Sequence, residues 1–170
     1  MFFTRSAPAN QILMVCMGNV CRSPMAQFVA QHLASQAGLA DAILVDSAGT
    51  QAGRGGAPID PRARALLTQR GYPVGKGRAR QVRDGDFERF DMILAMDQSN
   101  MNELRGLCPG EHSHKLRLLL EFAPAEGTLE VPDPYYGSVQ GFERVLGLCE
   151  AGVSGLLAQI KTGQPQPRGS

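Results

Sequence analysis

Short apolar runs alternate along the chain with segments whose apolar positions recur at helical spacing. "QILMV" (11–15), "AILVDSAGT" (42–50) and "FDMILAM" (90–96) read as three strands and their turns, and "KLRLLLEF" (115–122), ambiguous in period, as a fourth. After the first strand, Ser23-Pro24 opens a helix, because proline suits the first helical turn. Met25, Phe28, Val29 and Leu33 then share one face. "DPRARALLTQRG" (60–71) is a helix with Asp60 as N-cap, Pro61 just inside and Gly71 past its end. Residues 97–107 read as a helix capped by Ser99 or Asn100. The last helix carries Val139, Phe142, Val145, Leu146, Cys149, Val153, Leu156, Leu157 and Ile160 at helical spacing, with Ser138 as a cap. Its glycines lower its intrinsic propensity, so packing must hold it.

Strand and helix in alternation predict an α/β fold of βαβ units. The expected form is a three-layer sandwich with a four-stranded parallel sheet and helices on both faces. Such sheets bind ligands outside the carboxyl ends of their strands. Cys16, just past the first strand, falls there.

The 170 residues suit one domain, expected over 11–162, between flexible tails at 1–10 and 163–170. A formal net charge of +1 argues against broad electrostatic capture of nucleic acid, so any anion site is local. No apolar run approaches membrane-spanning length, and "MFFTRSAPAN" is too short and polar for a signal peptide. Cys16, Cys21, Cys108 and Cys149 form no regular framework, which fits a reducing, cytoplasmic setting. Cys149 lies in the apolar stripe of the last helix and reads as a small buried hydrophobe. Cys108 precedes Pro109-Gly110 and reads as a loop residue.

"VCMGNVCRSP" (15–24) packs two thiols, an arginine and a serine into one strand-to-helix loop. A zinc site lacks its second ligand pair, and His112 and His114 read as exposed polar residues. A thioredoxin-like pair would be Cys-x-x-Cys, a narrower spacing than Cys16 and Cys21 have. An anion cradle uses every residue. Gly18 and Asn19 tolerate the positive φ that a ring of N–H groups requires. Such a nest at a helix N-terminus holds a tetrahedral dianion, and Arg22 adds a bidentate fork. The same field favours a thiolate at Cys16, and Ser23 can donate to its sulfur. A phosphate ester also needs a proton for its leaving oxygen. "VPDPYYG" (131–137) offers Asp133, confined between Pro132 and Pro134, followed by Tyr135 and Tyr136 as aromatic walls.

"VCMGNVCRSP" with "DPYYG" resembles the low-molecular-weight protein tyrosine phosphatases. The similarity continues through "VDSAGT" (45–50), "DPRA" (60–63), "RARQ" (78–81), "FDMILAMDQSN" (90–100) and the terminal helix. The resemblance implies hydrolysis of protein phosphotyrosine and aryl phosphates through a cysteinyl-phosphate. Cys16 would be the nucleophile, Arg22 the phosphate clamp and Asp133 the general acid and base. Met17, Gly18, Asn19, Val20, Cys21, Arg22 and Ser23 would form the phosphate-binding loop, with Asn19 shaping it, Ser23 tuning Cys16, and Ser47 and Asp97 supporting it. Val20, Gly53, Tyr135 and Tyr136 would line the substrate pocket, and the two tyrosines are phosphorylated in some relatives. Cys21 would form a protective, reversible disulfide with Cys16. No metal and no cofactor are implied. The partners would be a phosphotyrosine protein or small aryl phosphate and inorganic phosphate as product and inhibitor, without nucleic acid or membrane insertion.

Two departures from the family pattern carry expectations. Gly77 stands where a histidine commonly helps hold the loop asparagine, so Asn19 is expected to be less firmly held. "QAGRGGAP" (51–58) replaces a bulky wall residue near Gly53, so a more open pocket mouth is expected. Arsenate reductases of this fold relay electrons through two further cysteines, yet residues 73–107 contain none. Arginine phosphatases typically place threonine where Val20 stands. A non-catalytic phosphate or phosphopeptide-binding module is the remaining alternative.

Overall fold

Ile12, Leu13, Met14 and Val15 are all fully buried, although successive side chains of a strand point to opposite faces. A strand that buries both faces needs cover on both, and the rest of the chain supplies it. The computed structural model describes residues 8–163. Within them run β1 (Asn10–Cys16), α1 (Arg22–Gln36), β2 (Ile43–Gly49), α2 (Pro61–Gln69), α3 (Asp84–Arg89), β3 (Met92–Ala95), α4 (Gln98–Leu107), β4 (Leu116–Leu118) and α5 (Val139–Thr162). Of the expected tails at 1–10 and 163–170, residues 1–7 and 164–170 lie outside the described residues. Asn10, placed in the first tail by the sequence, already pairs with Ile43.

All strand pairs are parallel, in the order β2-β1-β3-β4. On one face, Ile12, Met14, Val45 and Leu94 pack with Phe28 and Val29 of α1 and Val145, Leu146, Cys149 and Val153 of α5. On the other, Leu13, Val15, Ile93 and Ala95 pack with Phe87, Phe90, Met101 and Leu104 from α3, its C-terminal end and α4. Each fully buried side chain of this size contributes about 1.5–3 kcal/mol. The chain steps from β1 out to β2, then back across to β3. This reversal leaves a crevice between the carboxyl ends of β1 and β3, where open α/β sheets bind ligands.

Three expectations change. The fourth strand stops at Leu118, and Leu119–Phe122 turn as a 3-10 helix that buries Leu119, Leu120 and Phe122. The backbone of α5 passes too closely for a continued strand: a Cβ on Gly155 would lie 1.8 Å from the Phe122 carbonyl oxygen. The cap of α4 is Asp97, whose carboxylate accepts from Asn100 N–H at 2.8 Å, not Ser99 or Asn100. Ser138 precedes α5 but makes no side-chain cap hydrogen bond, whereas Asp60 caps α2 by accepting from Arg62 N–H at 2.8 Å. No helix among the described residues is long and apolar enough to cross a membrane.

Candidate active site

Cys16 ends β1, and Arg22 already belongs to α1, so the five residues between them reverse the chain. Asn19 makes the turn with φ 57°, the only positive φ at a non-glycine among the described residues. Asparagine tolerates that region better than most residues. Gly18, expected to share the strain, does not adopt a positive φ. The N–H of Asn19 points inward and donates to Cys16 Sγ at 3.3 Å. Ser23 Oγ lies 3.0 Å from the same sulfur.

A buried chain of hydrogen bonds sets the direction of that second contact. Gln27 Oε1 accepts from Ser47 Oγ–H at 2.6 Å, which leaves the Ser47 oxygen to accept from Asn19 Nδ2 at 3.0 Å. The other hydrogen of Asn19 Nδ2 goes to Ser23 Oγ at 2.9 Å. Ser23 therefore accepts from Asn19 and has one hydrogen to give, for which the Cys16 sulfur at 3.0 Å is a nearer acceptor than the Ala48 carbonyl at 3.4 Å. Asn19 Oδ1 accepts from Arg80 N–H at 3.0 Å. Gly77 leaves open space, with nothing within 4 Å of a notional Cβ, beside a cavity of about 50 Å³. Asn19 is nonetheless held at both amide hydrogens and its oxygen, so the expected looseness is not found.

Arg22 is buried and held from behind. Its NH1 donates to Asp97 Oδ2 at 2.6 Å and to the Val131 carbonyl at 3.1 Å. Asp97 thus serves twice, since its Oδ1 caps α4. The other terminal nitrogen, NH2, lies 3.7 Å from Asp133 Oδ2. Val131 N–H donates to the Met96 carbonyl, so the end of β3 pins the segment that carries Asp133. The carboxylate of Asp133 also accepts from Tyr135 N–H at 3.0 Å.

These groups surround a cavity of about 340 Å³, with Cys16, Arg22 and Cys21 at one end. Met17, Gly18 and Val20 form part of its wall, and Asp133, Tyr135 and Tyr136 its rim. Tyr136 is 94% exposed and meets Tyr135 edge-to-face. The wall expected at Gly53 is supplied by Gln51 and Ala52 instead. Gln51 N–H donates to the Met17 carbonyl and Ala52 N–H to Gln81, which turns these two residues to the cavity and leaves Gly53 beyond it. The Cys21 thiol is pushed up to about 12, chiefly by burial and then by Asp60 and Cys16, so it is a neutral thiol in the wall. Among the described residues, no group of three or more His, Cys, Asp or Glu could hold a metal ion.

The loop, Ser47, Asp97, Asp133 and the two tyrosines were named from sequence, and the structure gathers them at one end of the sheet. Gln27, Arg80 and the Val131 carbonyl were not anticipated. A glutamine on a helix has no signature, and the other two contribute main-chain atoms, which carry no residue identity.

A thiol with two hydrogen bonds, a guanidinium aimed from behind and a carboxylate at the rim define a site of the kind that presents a nucleophile to a tetrahedral oxyanion. The model of the low molecular weight phosphotyrosine protein phosphatase family matches residues 11–166. A putative low molecular weight protein-tyrosine-phosphatase of Synechocystis is 42% identical over 151 residues, covering 88% of this chain and 96% of that protein. The low molecular weight protein-tyrosine-phosphatase of Streptomyces coelicolor is also 42% identical, over 89% of this chain and 93% of that one. The crystal structure of a protein tyrosine phosphatase from Entamoeba histolytica with Hepes in its active site superposes with a TM-score of 0.87 at 38% identity, covering 91% of this chain and 98% of that one. The chain belongs to the low molecular weight phosphotyrosine protein phosphatase family, and its enzyme class is protein-tyrosine phosphatase.

Proposed function

We propose that the protein hydrolyses phosphotyrosine in proteins, and small aryl phosphates, through a cysteinyl-phosphate on Cys16. One observation carries this reading. Cys16 Sγ receives the Asn19 N–H and faces Ser23 Oγ, in the same cavity as an Arg22 held by Asp97 and 3.7 Å from Asp133. In the first step the Cys16 sulfur forms a bond to phosphorus while the bond to the phenolic oxygen breaks. Asp133 gives its proton to that oxygen. The loop N–H groups and Arg22 stabilise charge on the equatorial oxygens. In the second step water attacks phosphorus, Asp133 takes its proton, and the sulfur–phosphorus bond breaks to release inorganic phosphate. Phosphate, which fits the same cradle, is the product and a competitive inhibitor. The chemistry needs no metal or cofactor, suits a reducing cytoplasm, and is blocked when Cys16 and Cys21 join in a disulfide. Cys108 lines a separate surface cavity beside α4 and β4, which gives no support to a thiol relay of the arsenate-reductase type.

The test is aryl phosphate hydrolysis in EDTA, with and without a thiol reductant. The expected result is metal-independent, phosphate-inhibited turnover that a reductant sustains. Cys16→Ser is expected to lower kcat by more than about 10³-fold while phosphate still binds. Turnover by that variant at near the original rate would remove Cys16 as the nucleophile. Tight phosphate binding without turnover in the unaltered protein would make it a binding module.

A further inference from the structure

One side chain that does not face the phosphate cradle touches both halves of the site. Arg62, near the start of α2, closes its fork on Asp60, with Nε to Oδ1 at 3.1 Å and NH2 to Oδ2 at 2.9 Å. The same NH2 donates to the main-chain carbonyl of Tyr135 at 2.9 Å. The guanidinium lies over two rings, 4.6 Å from the centre of Phe142 and 5.6 Å from that of Tyr135. Phe142 belongs to α5 and is 1% exposed, so it is a fixed floor. Asp60 in turn donates its main-chain N–H to the carbonyl of Val20 in the phosphate loop, at 2.8 Å. Its carboxyl is held below the usual range, first of all by the hydrogen bond from Arg62, so it remains an anion for the fork to grip.

The acid-bearing segment has little else to hold it. Val131 is tied to Met96, but Tyr135 N–H turns back to Asp133 and Gly137 N–H to Pro134. Among the described residues, no other main-chain hydrogen bond ties residues 132–136 to the body of the protein. A proton donor must come within about 2.6–3.2 Å of the leaving oxygen, and a misplacement of about 1 Å can cost on the order of 10²-fold. The cradle and the acid sit on segments more than a hundred positions apart, so something must register one against the other.

We propose that Arg62 is a positioning residue that registers the Asp133 segment against the phosphate loop, by gripping Asp60 on one side and the Tyr135 carbonyl on the other. The proposal rests on the reading of Asp133 as the general acid. Its signature, in the step that forms the cysteinyl-phosphate, is a loss confined to esters whose leaving group needs the proton. Lysine is no substitute, because it keeps the charge and loses the planar fork.

The experiment compares Arg62→Ala, Arg62→Lys, Asp133→Ala and the double variant Arg62→Ala/Asp133→Ala on two esters. Phosphotyrosine has a poor leaving group, and 4-nitrophenyl phosphate has a good one. Both Arg62 variants are expected to lose about tenfold or more in kcat/KM on phosphotyrosine, less than about twofold in kcat/KM on the nitrophenyl ester, and to keep the inhibition constant for phosphate within about twofold; kcat/KM is compared because it stops at the cysteinyl-phosphate and leaves out the water step that both esters share. The double variant is expected to be no slower than Asp133→Ala, since an acid that is absent cannot be misplaced. Urea unfolding of Arg62→Lys confirms a folded protein, and this variant carries the test if Arg62→Ala does not fold. Equal losses on the two esters, recovery by lysine, or an additive loss in the double variant would each overturn the role of Arg62. If Asp133→Ala itself loses equally on both esters, the assignment of the acid falls, and the clamp with it. If Asp133→Ala discriminates and the Arg62 variants do not, only the clamp falls.

Discussion

At the scale of single residues the site is governed by the direction of hydrogen bonds as much as by distance. Ser47 can accept from Asn19 because Gln27 takes its hydrogen, and Ser23 can turn its hydrogen to Cys16 because Asn19 donates to it. Gln27→Leu removes the terminal acceptor and lets the Ser47 hydroxyl turn, which unsettles every bond after it. An unpaired buried polar group costs about 1–3 kcal/mol. The expected outcome is a several-fold fall in kcat and in the rate at which iodoacetate alkylates Cys16 at fixed pH. Gln27→Glu keeps an acceptor in the same place and is expected to retain most of both. Unchanged alkylation in the leucine variant would show that the relay does not reach the sulfur. Cys16, Arg22 and Asp133, which the structure brings to one cavity, could be singled out in the sequence because each is a chemically marked residue in a marked setting. The support of Asn19 could not be, because the Arg80 N–H that replaces the expected histidine is an atom every residue but proline possesses.

At the scale of elements, periodicity located the strands and the long helices and failed where two elements compete for one space. "KLRLLLEF" is apolar enough for a long strand, yet β4 ends after Leu118 because α5 lies against the next turn. Gly152 and Gly155 permit that approach. Read from sequence they look like weak points in a helix, and they are its contact surface. The six-residue α3 went unnoticed because it is too short for a helical period to declare itself. Gly155→Ala would place a Cβ 1.8 Å from the Phe122 carbonyl oxygen, so backbone must move. The gain of about 1 kcal/mol in helix propensity is outweighed, and a net loss of about 1–2 kcal/mol is expected, because a backbone oxygen cannot give way as a side chain can. Gly147 lies in the same helix with nothing within 4 Å of its notional Cβ. Gly147→Ala is expected to stabilise by about 0.5–1 kcal/mol. Urea unfolding of the two variants should therefore show shifts of opposite sign. A stabilised Gly155→Ala would contradict the packing of α5 on the 119–122 turn.

At the scale of the whole molecule, the order β2-β1-β3-β4 creates the crevice, and strand order is a long-range property that local pattern does not encode. The same burial that assembles the site also makes the fold sensitive to alkali. Cys149 is completely buried on α5, and burial, followed by the nearby Cys16, pushes its thiol up from an ordinary value near 9 to about 12. Cys21 is pushed up to about 12, and Tyr72, which donates to Glu150 at 2.6 Å, is raised as well. Below pH 9 these thiols are neutral in the folded and the unfolded chain, and their full contribution is present. Between about 9 and 12 the unfolded chain releases protons that the folded chain keeps, so stability falls as pH rises. For the fully buried Cys149 the slope is at most about 1.4 kcal/mol per pH unit. Cys149→Ala isolates this thiol, because other titrating groups are common to both proteins. At pH 7 the variant is expected to be the less stable of the two, having lost buried sulfur. As pH rises above 9 the wild type loses stability that the variant keeps, and the gap between their urea midpoints is expected to close. A gap that stays constant from pH 7 to about 10.5 would mean that Cys149 ionises as readily folded as unfolded, which the tight packing of α5 against the sheet does not allow.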